Sequence, residues 1–235
     1  MRFSVNDKIF EKFPGLNIGV LKCEETDNTG ISEQILSLIG EKEKEIGTVS
    51  DLEVLSENPK ISVWRQAYKA FGVNSKDNFS SVESLYRAVL QGRKLRHINK
   101  IVDIYNYMSL KHIVPAGGED LNMVKGDIQL TFAGADEPSV LLLGDKDPRS
   151  PHPGEIIYKD EISAICRRFN WREADRTKLT ENTKKAVLVI ESLPPVAENE
   201  LKEILKETKS LIEKDCGGKI DQFILSKDNP EIEIY

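Results

Sequence analysis

The chain has 235 residues, 39% of them hydrophobic and 31% charged, with a formal net charge of −6. That length makes one large or two small domains with a real core. Mean hydropathy of −0.39 and a pI near 5.3 suit a soluble surface and count against a general nucleic-acid binder, though not against a local basic groove.

The longest apolar runs, such as AVLVI, are strand-length and far short of a membrane span. No basic segment leads into an apolar run as in a signal peptide. Cys23, Cys166 and Cys216 are far apart, and the three histidines lack metal-ligand spacing. No metal and no cofactor are expected, and a reducing cytoplasm is the simplest compartment.

The first residues read as strand, short helix, strand. Asn6 or Asp7 can cap KIFEKF, Pro14-Gly15 stops it, and residues 16–23 follow as a strand. Residues 31–45 have helical periodicity through Ile31, Ile35, Leu38 and Ile39, and 47–59 breaks that helix or links it to the next. SVWRQAYKAF, 62–71, is a helix ended by Gly72, with Trp64, Ala67, Tyr68 and Phe71 on one core face. Ser80 to Glu83 has capping-box spacing, with the glutamate able to reach back to the cap amide. In the last turn of that helix and beyond it, Arg87, Arg93, Lys94, Arg96 and Lys100 lie in a stretch without acids from Ser84 to Val102. This cluster is either a solvated loop or a phosphate-facing patch.

The segment from Ile98 is apolar almost all the way round a 3.6-residue period, which marks a buried helix. Asn99, Asp103 and Asn106 form a polar stripe along it. Buried, these groups must be hydrogen-bonded, so the helix braces a neighbouring loop or lines a polar pocket. It runs into a Pro/Gly turn at 115–120. Strands are expected at 127–133, 140–143, 156–158, 162–166 and 186–190, with a proline-rich loop over 145–154. CRRFNWR, 166–172, sets three arginines around Phe169, Asn170 and Trp171. Such a segment suits a single-stranded nucleic-acid surface and equally a cation–π-braced strand end. Glu191, at the end of AVLVI, can recognise an amine or hydroxyl at a pocket floor or cap a loop. An amphipathic helix over 198–214 and a strand over 219–225 close the chain. There is no nucleophile elbow, Walker loop, dinucleotide fingerprint or HExxH.

VDIYNYMSL, the turn at 115–120, GDIQL, GEIIYKD, ICRRFNWR and, behind Thr183, VLVIE occur in an order that resembles the B3/B4 domain. That domain is found in the β subunit of phenylalanyl-tRNA synthetase and as freestanding proteins. The likeness runs over about 64–191, and SVWRQAYKAFG with SSVESLYRAVLQGRKLRHIN resembles the freestanding branch. The resemblance implies an α+β fold: a mixed or antiparallel sheet, or a barrel-like core, with flanking helices. It implies one continuous domain over 1–235, with a helical portion to about 110, a strand-rich core over 111–192 and a final helix and strand over 193–235.

In the synthetase this domain hydrolyses tyrosine misattached to the phenylalanine tRNA. The implied function here is hydrolysis of a mischarged aminoacyl-tRNA ester in trans; the alternative is a non-catalytic tRNA- or amino-acid-binding module. The chain has no room for an aminoacylation domain, so it is not expected to be a synthetase by itself. Carried over by position, Asn106 matches the asparagine of the editing helix and Glu191 the glutamate that recognises the substrate hydroxyl; these are the expected catalytic pair. Asp103, Tyr105, Pro115, Gly117, Gly118, Asp120 and Asn170 are expected around the substrate. Tyr105 replaces a threonine of the synthetase, Gly117 replaces a histidine, and CRRFNWR replaces a glycine-rich loop. Arg93, Lys94, Arg96, Arg167, Arg168 and Arg172 are the expected RNA contacts, tRNA is the expected partner, and no membrane association is expected.

Overall fold

Strand β1 (Arg2–Val5) and strand β2 (Asn17–Glu24) are separated by one short helix, α1 (Asp7–Lys12), yet they enter different sheets. Asn6 starts the helix by accepting the Lys8 N–H, as its residue type suggests. The computed structural model describes all 235 residues, Met1–Tyr235.

Helix α2 (Glu33–Val49) begins on the Ser32 hydroxyl, which accepts the Ile35 N–H. It continues through Gly47, where a break or a linker was expected. Burial of Ile46 outweighs the roughly 1 kcal/mol that a helical glycine costs. Helix α3 (Pro59–Ala70) starts earlier than the apolar pattern suggests, because Asn58 caps it and Pro59 fits its first turn. Helix α4 (Ser81–Leu90) is capped by Ser80, but the reciprocal half of the capping box is not made. The buried Glu83 carboxylate instead accepts from Arg65 and from Arg87, both of which also stand over the Phe79 ring. Helix α5 (Lys100–His112) is the buried helix expected, with Asn99 as its cap.

Next come β3 (Ala116–Asp120), β4 (Ile128–Phe132), β5 (Ile156–Lys159), β6 (Ala164–Arg167), β7 (Arg172–Glu173) and β8 (Ala186–Ser192). Helix α6 (Glu198–Asp215), β9 (Lys219–Leu225) and β10 (Glu231–Glu233) complete the chain. Three local expectations are corrected. Residues 115–120 are not a plain turn, because Ala116–Asp120 pairs along β8. Residues 140–143 make only isolated bridges, Val140 to Arg149 and Leu142 to Ala174. The strand expected from 162 begins at Ala164, since the Asp160 carboxylate binds the N–H groups of Ile162 and Ser163 and holds a turn there.

The six-stranded mixed sheet has the order β10-β1-β4-β5-β6-β7, with β1 and β4 parallel. The four-stranded sheet, β3-β8-β2-β9, is antiparallel. The fold is therefore α+β, with two open sheets and flanking helices. Strand alternation divides the core. Val187 of β8 packs with Ile18 and Val20 among residues shared with the larger sheet, whereas Leu188 and Ile190 pack under α2, α5 and α6. No helix is long and apolar enough to cross a membrane.

The loop between β6 and β7 is held by its own side chains. Arg168 and Phe169 both have positive φ, 51° and 66°, an unfavourable conformation for such residues. Phe169 is wholly buried, edge-on to Trp64, Phe13 and Tyr158. Burying a Phe side chain contributes about 1.5–3 kcal/mol, enough to offset such strain. Arg167 is buried as well. It makes two hydrogen bonds of 2.8 Å to the buried Glu155 carboxylate, so the expectation that it contacts RNA is corrected: its guanidinium is already spent inside the fold. Arg167→Met leaves the buried Glu155 carboxylate with only the longer Arg168 ion pair, at 3.8 Å, and the His152 N–H, and is expected to destabilise the protein by about 3 kcal/mol at neutral pH. Denaturant unfolding checks this; a loss below about 1 kcal/mol means the pair behaves as a surface one.

Candidate active site

A cavity of about 290 Å³ lies where the two sheets meet. Alternate residues of a strand share a face, so β8 presents Val187, Val189 and Glu191 to it, and β3 presents Gly117 and Glu119. From the larger sheet comes a cross-strand row in register, Tyr158, Cys166 and Glu173. Helix α5 adds Tyr105 and Asn106, and the first turns of α4 add Ser81 and Ser84.

Glu191 is the best-held group in the cavity. It is 1% exposed. The Tyr158 hydroxyl donates to its Oε1 at 2.9 Å and the Asn170 amide to its Oε2 at 3.2 Å. Asn170 is fixed in turn by the Tyr68 hydroxyl, which donates to its Oδ1 at 3.0 Å. Burial pushes the Glu191 carboxyl up to about 7, against the pull of those two donors and with help from the Glu173 charge. Each Glu191 oxygen keeps an unused lone pair.

Two further glutamates share the cavity. Glu173 Oε1 accepts the Gly118 N–H at 3.0 Å, which ties β7 to β3, the edge strands of the two sheets. Burial pushes its carboxyl up to about 7. Glu119 is raised well above the usual carboxylate range by burial first and by the Glu173 charge second. Neither has a cationic partner. By contrast the Asn106 amide, half-buried on the cavity wall, makes no hydrogen bond within the protein.

The structure brings six of the nine expected catalytic and pocket residues to this cavity: Tyr105, Asn106, Gly117, Gly118, Asn170 and Glu191. Three are elsewhere, and for each the reason is a local bond. Asp103 binds the His97 ring and the Ile98 N–H, bracing the loop ahead of α5. Pro115 stands outside the cavity lining and offers only its carbonyl, to the Glu191 N–H. Asp120 accepts from the Thr183 hydroxyl and the Asn122 N–H at the end of β3. The polar stripe of α5 thus divides, with Asn99 and Asp103 bracing and Asn106 facing the cavity.

The expected RNA contacts divide too. Arg172 lines the cavity, and Trp171 beside it lies between Arg168 and Arg172, 4.1 and 5.1 Å from its ring centre. Arg172 also binds Asp145, and Arg168 binds Asn78. Arg93, Lys94 and Arg96 are exposed and free of ion pairs, but they follow the far end of α4 from Ser81 and Ser84. There Glu43 of α2 accepts the Leu95 N–H, and Glu41 lines the same groove.

Sequence reasoning missed Glu119, Glu173, Tyr158, Ser81 and Ser84. Alternation with Gly117 was a signal for Glu119 once β3 is recognised as a strand. Nothing local points to Glu173, whose partner Gly118 is 55 positions away in the chain.

A family model, B3/4 domain, matches residues 63–216. Among solved structures, the chain is similar to an N-terminal fragment of the phenylalanyl-tRNA synthetase beta-subunit from Pyrococcus horikoshii. That likeness has a TM-score of 0.45 at 12% identity, covering 94% of this chain and 53% of that one. The chain thus spans about half the length of that fragment. No curated protein matches it.

Glu173 has a pH signature. Its carboxyl titrates near 7 in the folded protein and near 4.5 when unperturbed, so the folded state binds more protons between those values and loses stability as the pH rises through them. Glu173→Gln keeps an oxygen for the Gly118 N–H and removes the charge. It is expected to raise the melting temperature at pH 8 by roughly 2–4 °C, about 1 kcal/mol. The gain should shrink as the pH falls towards 4.5. A gain independent of pH would show that the charge is not its cause.

Proposed function

The chain belongs to the B3/4 domain family, and from that premise we propose that it hydrolyses the ester of a mischarged aminoacyl-tRNA in trans. The observation that carries this reading is the pairing, in one cavity, of an uncommitted amide with a firmly held carboxylate that titrates near neutrality. Asn106 is the amide and Glu191 the carboxylate.

The chemistry asked of the site is modest, because an aminoacyl ester is already activated. A bound water gives its proton to Glu191, which acts here as base where the resemblance implies recognition of a substrate hydroxyl, as the water oxygen attacks the ester carbonyl carbon. A base with a pKa near the working pH suits that transfer. The negative charge that gathers on the carbonyl oxygen accepts a hydrogen bond from the Asn106 amide. The carbon–oxygen bond to the terminal ribose then breaks, the ribose oxygen takes the proton, and the amino acid and the tRNA leave separately. Tyr158 and Asn170 fix the Glu191 carboxylate and so supply orientation. Trp171, braced by Arg168 and Arg172, stands at the cavity wall where the end of a nucleic acid enters. Arg93, Lys94 and Arg96 contact phosphates farther along the tRNA.

A binding module without turnover is the second reading. Gly117, where the resemblance expects a histidine, favours it.

Deacylation of a panel of mischarged tRNAs separates the two. Hydrolysis of one aminoacyl-tRNA is expected to fall about 10²–10³-fold in Asn106→Ala, the size of effect seen when an oxyanion donor is removed. Saturable binding with no hydrolysis of any panel member sinks the enzyme reading. For the phosphate contacts, neutralising Arg93, Lys94 and Arg96 together should flatten the dependence of log affinity on log salt by about 2–3. An unchanged slope removes those residues from the interface.

A further inference from the structure

Glu119 and Glu173 have no task in the hydrolysis just described. Glu119 stands on the cavity face of β3, opposite Val187 in the ladder, and is 7% exposed. Its Oε2 atom is shut off from solvent beside the neutral Thr177 hydroxyl and makes no hydrogen bond, and its Oε1 atom, left open, makes none either. Glu173 gives Oε1 to the Gly118 N–H and leaves Oε2 without a bond. Glycine at 117 is what lets that carboxylate lie over the strand, since a Cβ there would stand 2.6 Å from Glu173 Oε1.

Buried carboxylates are ordinarily paired or satisfied, and the other buried ones are. Glu83 has Arg65 and Arg87, Glu155 has Arg167, and Asp160 has Arg176. Glu119 and Glu173 share a cavity with no such partner. No group of three His, Cys, Asp or Glu side chains is placed to hold a metal ion. A primary ammonium brings three N–H donors and one positive charge, which match the unbonded oxygens and the negative charge that Glu173 gains as it titrates near 7. The adjoining Tyr105 and Val187 suit the hydrocarbon that carries such a group.

We propose that Glu119 and Glu173 form a recognition subsite for a protonated amine, so that the ligand of this cavity enters as a cation. The amine is either the α-amino group of an aminoacyl ester or the side-chain ammonium of a basic amino acid. The first source deepens the aminoacyl-tRNA reading and rests on it; the second stands without it.

The test is calorimetric titration of the full chain with L-leucinamide, cadaverine and N-acetyl-L-leucinamide at pH 7, where an α-amine of pKa about 7.7–8.0 is mostly protonated. Leucinamide binding identifies the α-amine as the source, and cadaverine binding the side-chain amine. N-acetyl-L-leucinamide, which has no ammonium, is expected not to bind. Glu119→Gln, with its melting temperature recorded to show that it folds, should weaken the bound amine by about tenfold or more. Equal binding of the acetylated amide, an unchanged affinity in Glu119→Gln, or no binding of either amine overturns the proposal. Amine binding without ester hydrolysis leaves it standing and removes the hydrolase reading. Equal hydrolysis of an aminoacyl-tRNA and its N-acetylated form, with no binding of cadaverine, does the reverse.

Discussion

The buried Glu191 carboxylate joins the two sheets of this fold to each other and to the β6–β7 loop. It sits on the smaller sheet and takes its two hydrogen bonds from Tyr158 of the larger sheet and Asn170 of the β6–β7 loop. Through Asn170 it reaches Tyr68 of α3. A carboxylate this deep is costly unless its oxygens meet donors, so the two sheets, the loop and the helix must take up one relative arrangement. The same constraint leaves the group poised near neutrality, because two neutral donors offset only part of the cost of burial.

The β6–β7 loop is what delivers Asn170, and it works as a unit. Arg167 is fixed by Glu155 and Phe169 by three aromatic rings. Residues 168 and 169 are thereby held in a backbone conformation that neither prefers. With those two anchored inward, Asn170 meets Glu191 and Trp171 remains at the cavity wall between two arginines. A segment that reads as an arginine-rich surface is thus mostly an internal brace, with one aromatic ring left facing the cavity.

The cavity itself follows from two sheet edges that meet without joining a ladder. The Glu173 carboxylate crosses from β7 to the Gly118 N–H of β3 in place of strand pairing. The absence of a side chain at Gly117 leaves room for it. The result is a pocket richer in carboxylate than in cation. Such a pocket is unsuited to phosphate and suited to groups that donate hydrogen bonds. Exposed arginine and lysine lie instead at the far end of α4, beside acidic residues of α2.

Local chemistry in the sequence determined a good deal. The caps at Asn6 and Ser80, the buried α5, the strands β2, β8 and β9 and the α+β class all follow from periodicity and capping residues. Asn106, Asn170 and Glu191 were legible by position in an ordered set of motifs, and they do meet in one cavity. What only the tertiary structure decided was partnership. Arg167 and Asp103 look like site residues until Glu155 and His97 claim them, while Glu119 and Glu173 look ordinary until no partner is found. The reason is physical. Periodicity and capping act within a few residues along the chain, whereas the state of a buried charge depends on groups that folding brings from any distance.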